Sequence, residues 1–190
     1  MQTTSTTEGK TAAAKSHAWT IDTSHSSAAF SVRHLMITNV RGEFEKFTGT
    51  VSYDPARPEA TTVTASIDVA SISTRDEKRD EHLRSADFFE AAKYPTLSFT
   101  SKALRQGDKG LELVGDLTIK ETTREVVLLV DGPTPPQVDP WGNERIGASA
   151  HTKIKRSEFG ITWNTLLETG GALVGDEITI TLDVSLIRQK

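Results

Sequence analysis

Five histidines, at positions 17, 25, 34, 82 and 151, are the residues best suited to bind or catalyse in this chain of 190 amino acids. Imidazole can ligate a metal or haem, relay a proton, or donate to a polar head group. None of the five stands in an HxH or HExxH spacing, and no close His/carboxylate set accompanies them, so zinc or non-haem iron has little support. His34 shares a strand face with Phe30 and Val32 and fits two roles, donor to a ligand head group or satisfied core histidine. His82 and Arg84 precede the pair Phe88-Phe89 and fit either rim hydrogen bonds or contacts to a phosphate. His17 falls in a polar leader, His25 in a Ser-rich turn, and His151 on the polar parity of its strand. Cysteine is absent, which excludes disulfides, zinc thiolates and thiol catalysis. GxSxG and Gly-rich phosphate loops are missing too, and no pair of carboxylates is nominated for acid–base work.

The elements that must position these residues are strands. From Phe30 onward, eight runs alternate apolar and polar residues, the period of a half-buried strand. Clear examples are Val63, Ala65, Ile67 and Val69; Leu97, Phe99, Ser101 and Ala103; and the closing run Ile178, Ile180, Leu182, Val184 and Leu186. A short extended piece at 19–22 precedes them. Tight turns join most runs, with no βαβ spacing, so the chain is all-β and antiparallel. Such strands close into a barrel or split into a sandwich. Four prolines in 132–142 predict an exposed loop without strand or helix.

One stretch, 74–99, interrupts the alternation. Thr74 and Glu77 have the form of a capping box, and the charged segment that follows is too polar for a core helix. It reads as a solvated helix ending in Phe88-Phe89, a lid over one mouth of whatever the strands enclose. Residues 75–81 of this lid read as solvated surface, so that Phe88→Ala or Phe89→Ala is expected to loosen the barrel end or its hold on what it encloses, and Asp80→Ala to do neither.

Residues 1–17 read as a disordered tail and 18–190 as one domain. A net charge of −4 without a long Lys/Arg run argues against nucleic acid or an anionic membrane surface as the main partner. No apolar stretch has the length of a signal h-region or a membrane helix, and the expected location is the cytoplasm.

The order of motifs resembles the YceI-like family from Trp19 to about Ile187. The opening WTIDTSHSSAAFSVRHLMITNVRGEFEKFTG (19–49) is similar to the family's start. HLRSADFFEAAKYPTLSFTS (82–101) resembles its most distinctive signature, and GDLTIKETTREV (115–126), DPWGNERIG (139–147) and IKRSEFGITW (154–163) follow in order. Glu121 and Glu125 depart from it, standing where the family more often has Gly and Pro.

The resemblance implies an extended, eight-stranded, lipocalin-like antiparallel barrel with a short helical lid. Its apolar pore would bind, carry or store an isoprenoid-type amphiphile, such as a polyprenyl phosphate or an isoprenoid quinone, without catalysis or cofactor. A homodimer is compatible with the same resemblance, and some relatives are periplasmic. Residues expected to line the pore are Phe30, Val32, His34, Phe47, Ile67, Leu83, Phe88, Phe89, Leu97 and Phe99 in the first half. In the second half they are Leu113, Leu117, Val126, Leu128, Ile146, Ile154, Phe159, Trp163, Ile180 and Leu182. His34, His82 and Arg84 are the candidate head-group contacts. Two other readings stay open on the residues alone. One is a filled barrel that captures partners through the Pro-rich loop; the other is a haem or metal barrel ligated by His34 or His151.

Overall fold

The computed structural model describes residues 17–168 and 170–190. Twelve strands form one antiparallel sheet: β1 His17–Ile21, β2 Ser27–His34, β3 Thr38–Phe44, β4 Phe47–Tyr53, β5 Thr62–Asp68, β6 Ile72–Ser73, β7 Thr96–Gly107, β8 Gly110–Ile119, β9 Thr122–Asp131, β10 Gln137–Val138, β11 Glu144–Lys155 and β12 Val174–Arg188. Six of them are halves of three bent strands. β1 and β2 lie end to end along β12, β3 and β4 run back beside them, and β5 and β6 pair with β4 and β3 in turn. Counted that way, and with the two-residue β10 set aside, the ring has eight members in a meander, closed where the last strand meets the first. Closure removes both sheet edges.

The bends have local causes. Between β1 and β2, the Asp22 carboxylate accepts from the Ser24 amide at 3.1 Å and turns the chain through a single 3-10 turn. Between β5 and β6, Asp68 does the same through the Ala70 amide at 2.9 Å. A bulge after Ser101 in β7 shifts the register, so the inward residue becomes Leu104 rather than Ala103. The uninterrupted alternation expected for that strand is corrected there.

The seam between β9 and β11 is the shortest in the ring, pairing only 129–131 with 149–151. The 132–142 segment is not free of strand: Gln137 and Val138 form β10 against Arg145 and Glu144. The four prolines flank this pair without occupying it, so its amides remain available to an edge ladder.

Helix α1, Glu77–Arg84, follows β6 and packs against it. Its N-cap is Asp76, which accepts from the Arg79 amide at 3.0 Å, not Thr74. Thr74 is instead held by Asp80, a buried carboxylate that accepts from the Thr74 amide at 2.9 Å and its hydroxyl at 2.5 Å. The expected neutrality of Asp80→Ala is therefore withdrawn: this side chain faces inward and ties the helix to β6. His17 opens β1 rather than ending a tail, and bonds the Arg188 guanidinium at 2.8 Å; the rest of the expected tail lies outside the described residues.

Candidate ligand cavity

The barrel is not packed solid. Its interior holds a cavity of about 320 Å³, within the range of small-molecule sites. The lining runs from Val32 and Val174 beneath the lid to Tyr53, Leu111 and Pro133 at the far end, and is almost wholly apolar. An eight-stranded barrel is just wide enough to be filled by side chains, so the open lumen needs a cause.

Glycines in the wall supply it. Phe30 stands opposite Gly42 in the β2–β3 ladder, and a Cβ at Gly42 would come within 2.5 Å of the Phe30 ring. The Phe99 ring covers Gly115 in the same way at 2.4 Å, and Ile21 covers Gly49 at 2.6 Å. Three large side chains thus lie flat along the wall over a neighbouring glycine instead of crossing the lumen. Covering a glycine with an aromatic ring also shields strand backbone from water. Alanines 65, 148 and 150 keep the wall thin elsewhere.

Seventeen of the twenty residues expected to line the pore do so: Phe30, Val32, Phe47, Ile67, Leu83, Phe88, Phe89, Leu97, Phe99, Leu113, Leu117, Val126, Leu128, Ile146, Ile154, Ile180 and Leu182. His34, Phe159 and Trp163 do not. His34 is the last residue of β2 and sits at the rim beyond the lumen. Phe159 ends the 3-10 turn that follows β11, and Trp163 comes three residues after left-handed Gly160; both pack in the core beneath the lid, off the cavity lining. There Phe159 is buried, and Trp163 packs on the His82 and Phe88 rings at 4.7 and 5.3 Å.

Two of the three candidate head-group contacts, His82 and Arg84, are already engaged. His82 bonds the Asp87 carboxylate at 2.8 Å and meets Phe88 edge to face. Arg84 donates to the carbonyls of Ala70 at 2.9 Å and Ile72 at 3.0 Å, pinning the lid to the β5–β6 bend. Neither His82 nor Arg84 lines the cavity, nor does His151, which is exposed on the outer face of β11.

Among the described residues the one charged side chain of the lining is Arg156, which the sequence did not single out. It is buried and donates to the carbonyls of Gly175 at 2.9 Å, Ile161 at 3.1 Å, Trp163 at 2.8 Å and Val174 at 3.4 Å. Burial pushes its pKa down, partly offset by Asp176. Its donors fasten the 156–163 turn to the start of β12 and so are already spent on backbone carbonyls. Nothing in the motif IKRSEF distinguished this arginine from a surface one.

The far end is closed by charge. Arg145 donates to Asp22 at 2.6 Å and to Asp139 at 2.7 Å, joining the β1–β2 bend to the Pro-rich loop. The guanidinium holds both carboxyls well below the usual carboxylate range, with Ser24 and His25 adding to the effect at Asp22. Thr134 in that loop exchanges two hydrogen bonds with Gly147, which places Pro133 against the lumen. Beneath these, Trp19, Ile146 and Leu186 form a small apolar floor. Among the described residues, the Trp19 indole nitrogen and the Thr61 hydroxyl are buried without a hydrogen-bond partner.

At the lid end, the His34–Ile37 turn has positive φ at both central residues, Leu35 (52°) and Met36 (60°), the signature of type I′. That conformation favours Asn-Gly, and costs a side chain such as leucine of order 1 kcal/mol. The turn leans on the neighbouring loop through the Leu35 amide, which donates to the Leu173 carbonyl at 2.8 Å.

Comparison with known proteins agrees with this architecture. The YceI-like domain model matches residues 19–186. A UPF0312 protein of Vibrio cholerae is 39% identical over 152 residues, covering 78% of this chain and 80% of its own. The crystal structure of Burkholderia cenocepacia BcnA superposes with a TM-score of 0.71 at 25% identity, over 87% of this chain and 98% of that one. A polyisoprenoid binding domain from Saccharophagus degradans shares the fold, with a TM-score of 0.65 at 14% identity over 91% of this chain and 99% of that one. The chain belongs to the YceI-like family.

Proposed function

We propose that this YceI-like barrel is a non-catalytic carrier or store for a long-chain, isoprenoid-type amphiphile held in its lumen. The observation that carries the reading is the open apolar lumen, kept clear by Phe30, Phe99 and Ile21 folded over wall glycines. An unfilled apolar cavity is costly to a core, and an apolar ligand restores the missing contacts. Each buried methylene contributes about 0.8 kcal/mol, so a few isoprene units offset the cost of ordering the chain. The polyisoprenoid binding described for the S. degradans domain supports the ligand class.

Head-group chemistry divides the candidates. Arg156, the lone charged side chain of the lining among the described residues, already has its donors on four carbonyls. A charged phosphate would therefore remain at the mouth while its polyprenyl tail fills the lumen. A quinone ring, being neutral, can enter with the tail.

The test is Gly42→Ala. The three atoms nearest the new Cβ belong to the side chains of Phe30 and Thr74, so the backbone can stay while the Phe30 ring swings off the wall into the lumen. Affinity for a long-chain isoprenoid quinone should fall about tenfold or more while the variant remains folded. Unchanged affinity with a displaced Phe30 would contradict the reading.

A further inference from the structure

The lid end carries a group of large apolar side chains that the cavity does not use. Leu35, Met36 and Ile37 are 38%, 58% and 73% exposed, at the apex of the β2–β3 hairpin. Leu166, 84% exposed, lies on the loop packed beside it. The two tips are joined: the Leu35 amide donates to the Leu173 carbonyl, and the Leu173 amide to the Thr165 carbonyl at 2.9 Å. Met36 Cγ lies within 3.6 Å of where a Cβ on Gly171 would stand.

Three observations bear on what covers this rim. The turn holds leucine and methionine in left-handed backbone that Asn-Gly would occupy without strain, and strain combined with apolar exposure marks a functional segment. The rim is continuous with the lumen, since Val32 and Val174 line the cavity beside the residues that begin the hairpin tip. The nearby charges are mixed, with exposed Arg33 and Arg41 on the hairpin against Glu43 and Glu168. The hairpin turns over only Leu35 and Met36, so its tip presents far less area than a stable contact with a second copy needs. It suits a soft surface into which apolar side chains can sink.

We propose that the 35–37 tip and Leu166 dock this end of the barrel on a phospholipid bilayer, so that a long-chain ligand passes between membrane and lumen there. The proposal rests on the carrier reading above. The balanced rim charge makes apolar insertion, rather than attraction to anionic lipid, the main contact, in keeping with the net charge of −4.

The test is flotation of the full chain with phosphatidylcholine vesicles. The key variant, Leu35→Asn with Met36→Gly, gives the turn the residues its backbone favours, so it should raise the unfolding midpoint while removing the apolar apex. Vesicle partitioning should fall about tenfold or more, with little dependence on salt, and Trp141→Ser at the opposite end should leave it unchanged. Wild-type chain that does not float, or a tip variant that floats equally well, would overturn the proposal. So would a wild-type dimer that the tip substitutions turn into monomer with no loss of vesicle binding. Quinone binding measured in detergent micelles separates the two readings. If micellar ligand binds but vesicles do not, docking fails alone; if neither protein binds quinone in micelles, the carrier reading fails whatever the vesicles do.

Discussion

The two ends of the barrel are closed by different physics. At the lid end, aromatic packing does most of the work: Phe88, Phe89, Phe159 and Trp163 cluster with Val69 and Ile72, and polar contacts from Asp80 and Arg84 only fasten the helix in place. At the opposite end, Arg145 bridges two carboxylates from distant loops over a small floor around Trp19. Packing responds to lost volume and ion pairs respond to pH, so the ends should fail under different conditions. An end held by packing on a short helix is also the one suited to open for a large ligand. The end pinned by charge is the fixed base.

The largest effect should come from Phe88→Ala. The ring is buried between His82 and Trp163, and its removal should cost about 3–5 kcal/mol in denaturant unfolding and weaken retention of a bound amphiphile. Asp80→Ala comes next. It leaves the Thr74 amide and hydroxyl buried without an acceptor, a loss of about 1–3 kcal/mol, whereas substitution of exposed Glu81 should change stability by less than about 0.5 kcal/mol.

Arg145→Met probes the other end. Asp22 and Asp139 have folded pKa values lowered from 3.8, so their stabilisation is complete above about pH 4 and is lost as pH falls through the folded values. The variant should therefore unfold at a lower temperature than wild type at pH 7, with the gap closing as the solution is acidified below pH 4. Thermal melts across that range check it, and a gap that stays constant would show that the bridge is not the stabilising element. Thr61→Val should have the smallest effect. It removes a buried hydroxyl with no partner and should leave stability equal or slightly raised.

Much of this was legible in the sequence because a strand writes its two faces into alternate residues. The eight runs and the inward positions from Phe30 to Leu182 followed directly, and the motif order pointed to the family. What alternation does not record is where the period breaks. The bulge after Ser101 exchanged Ala103 for Leu104, and the 3-10 turn after β11 took Phe159 and Trp163 off the cavity lining and under the lid. Polar side chains were harder still. Asp80 and Arg156 sit in strings of charge where a buried member looks like its exposed neighbours. The openness of the lumen had a trace in the sequence, glycines at inward positions 42, 49 and 115, but its meaning depends on the cross-strand residues that cover them.

Native mass spectrometry of the purified protein, with solvent extraction of the same sample, tests the central claim most directly. An apolar lumen of this kind predicts a mass above that of the polypeptide and recovery of a long-chain isoprenoid or similar amphiphile. A bare polypeptide mass that persists after incubation with isoprenoid quinone and with polyprenyl phosphate would contradict it.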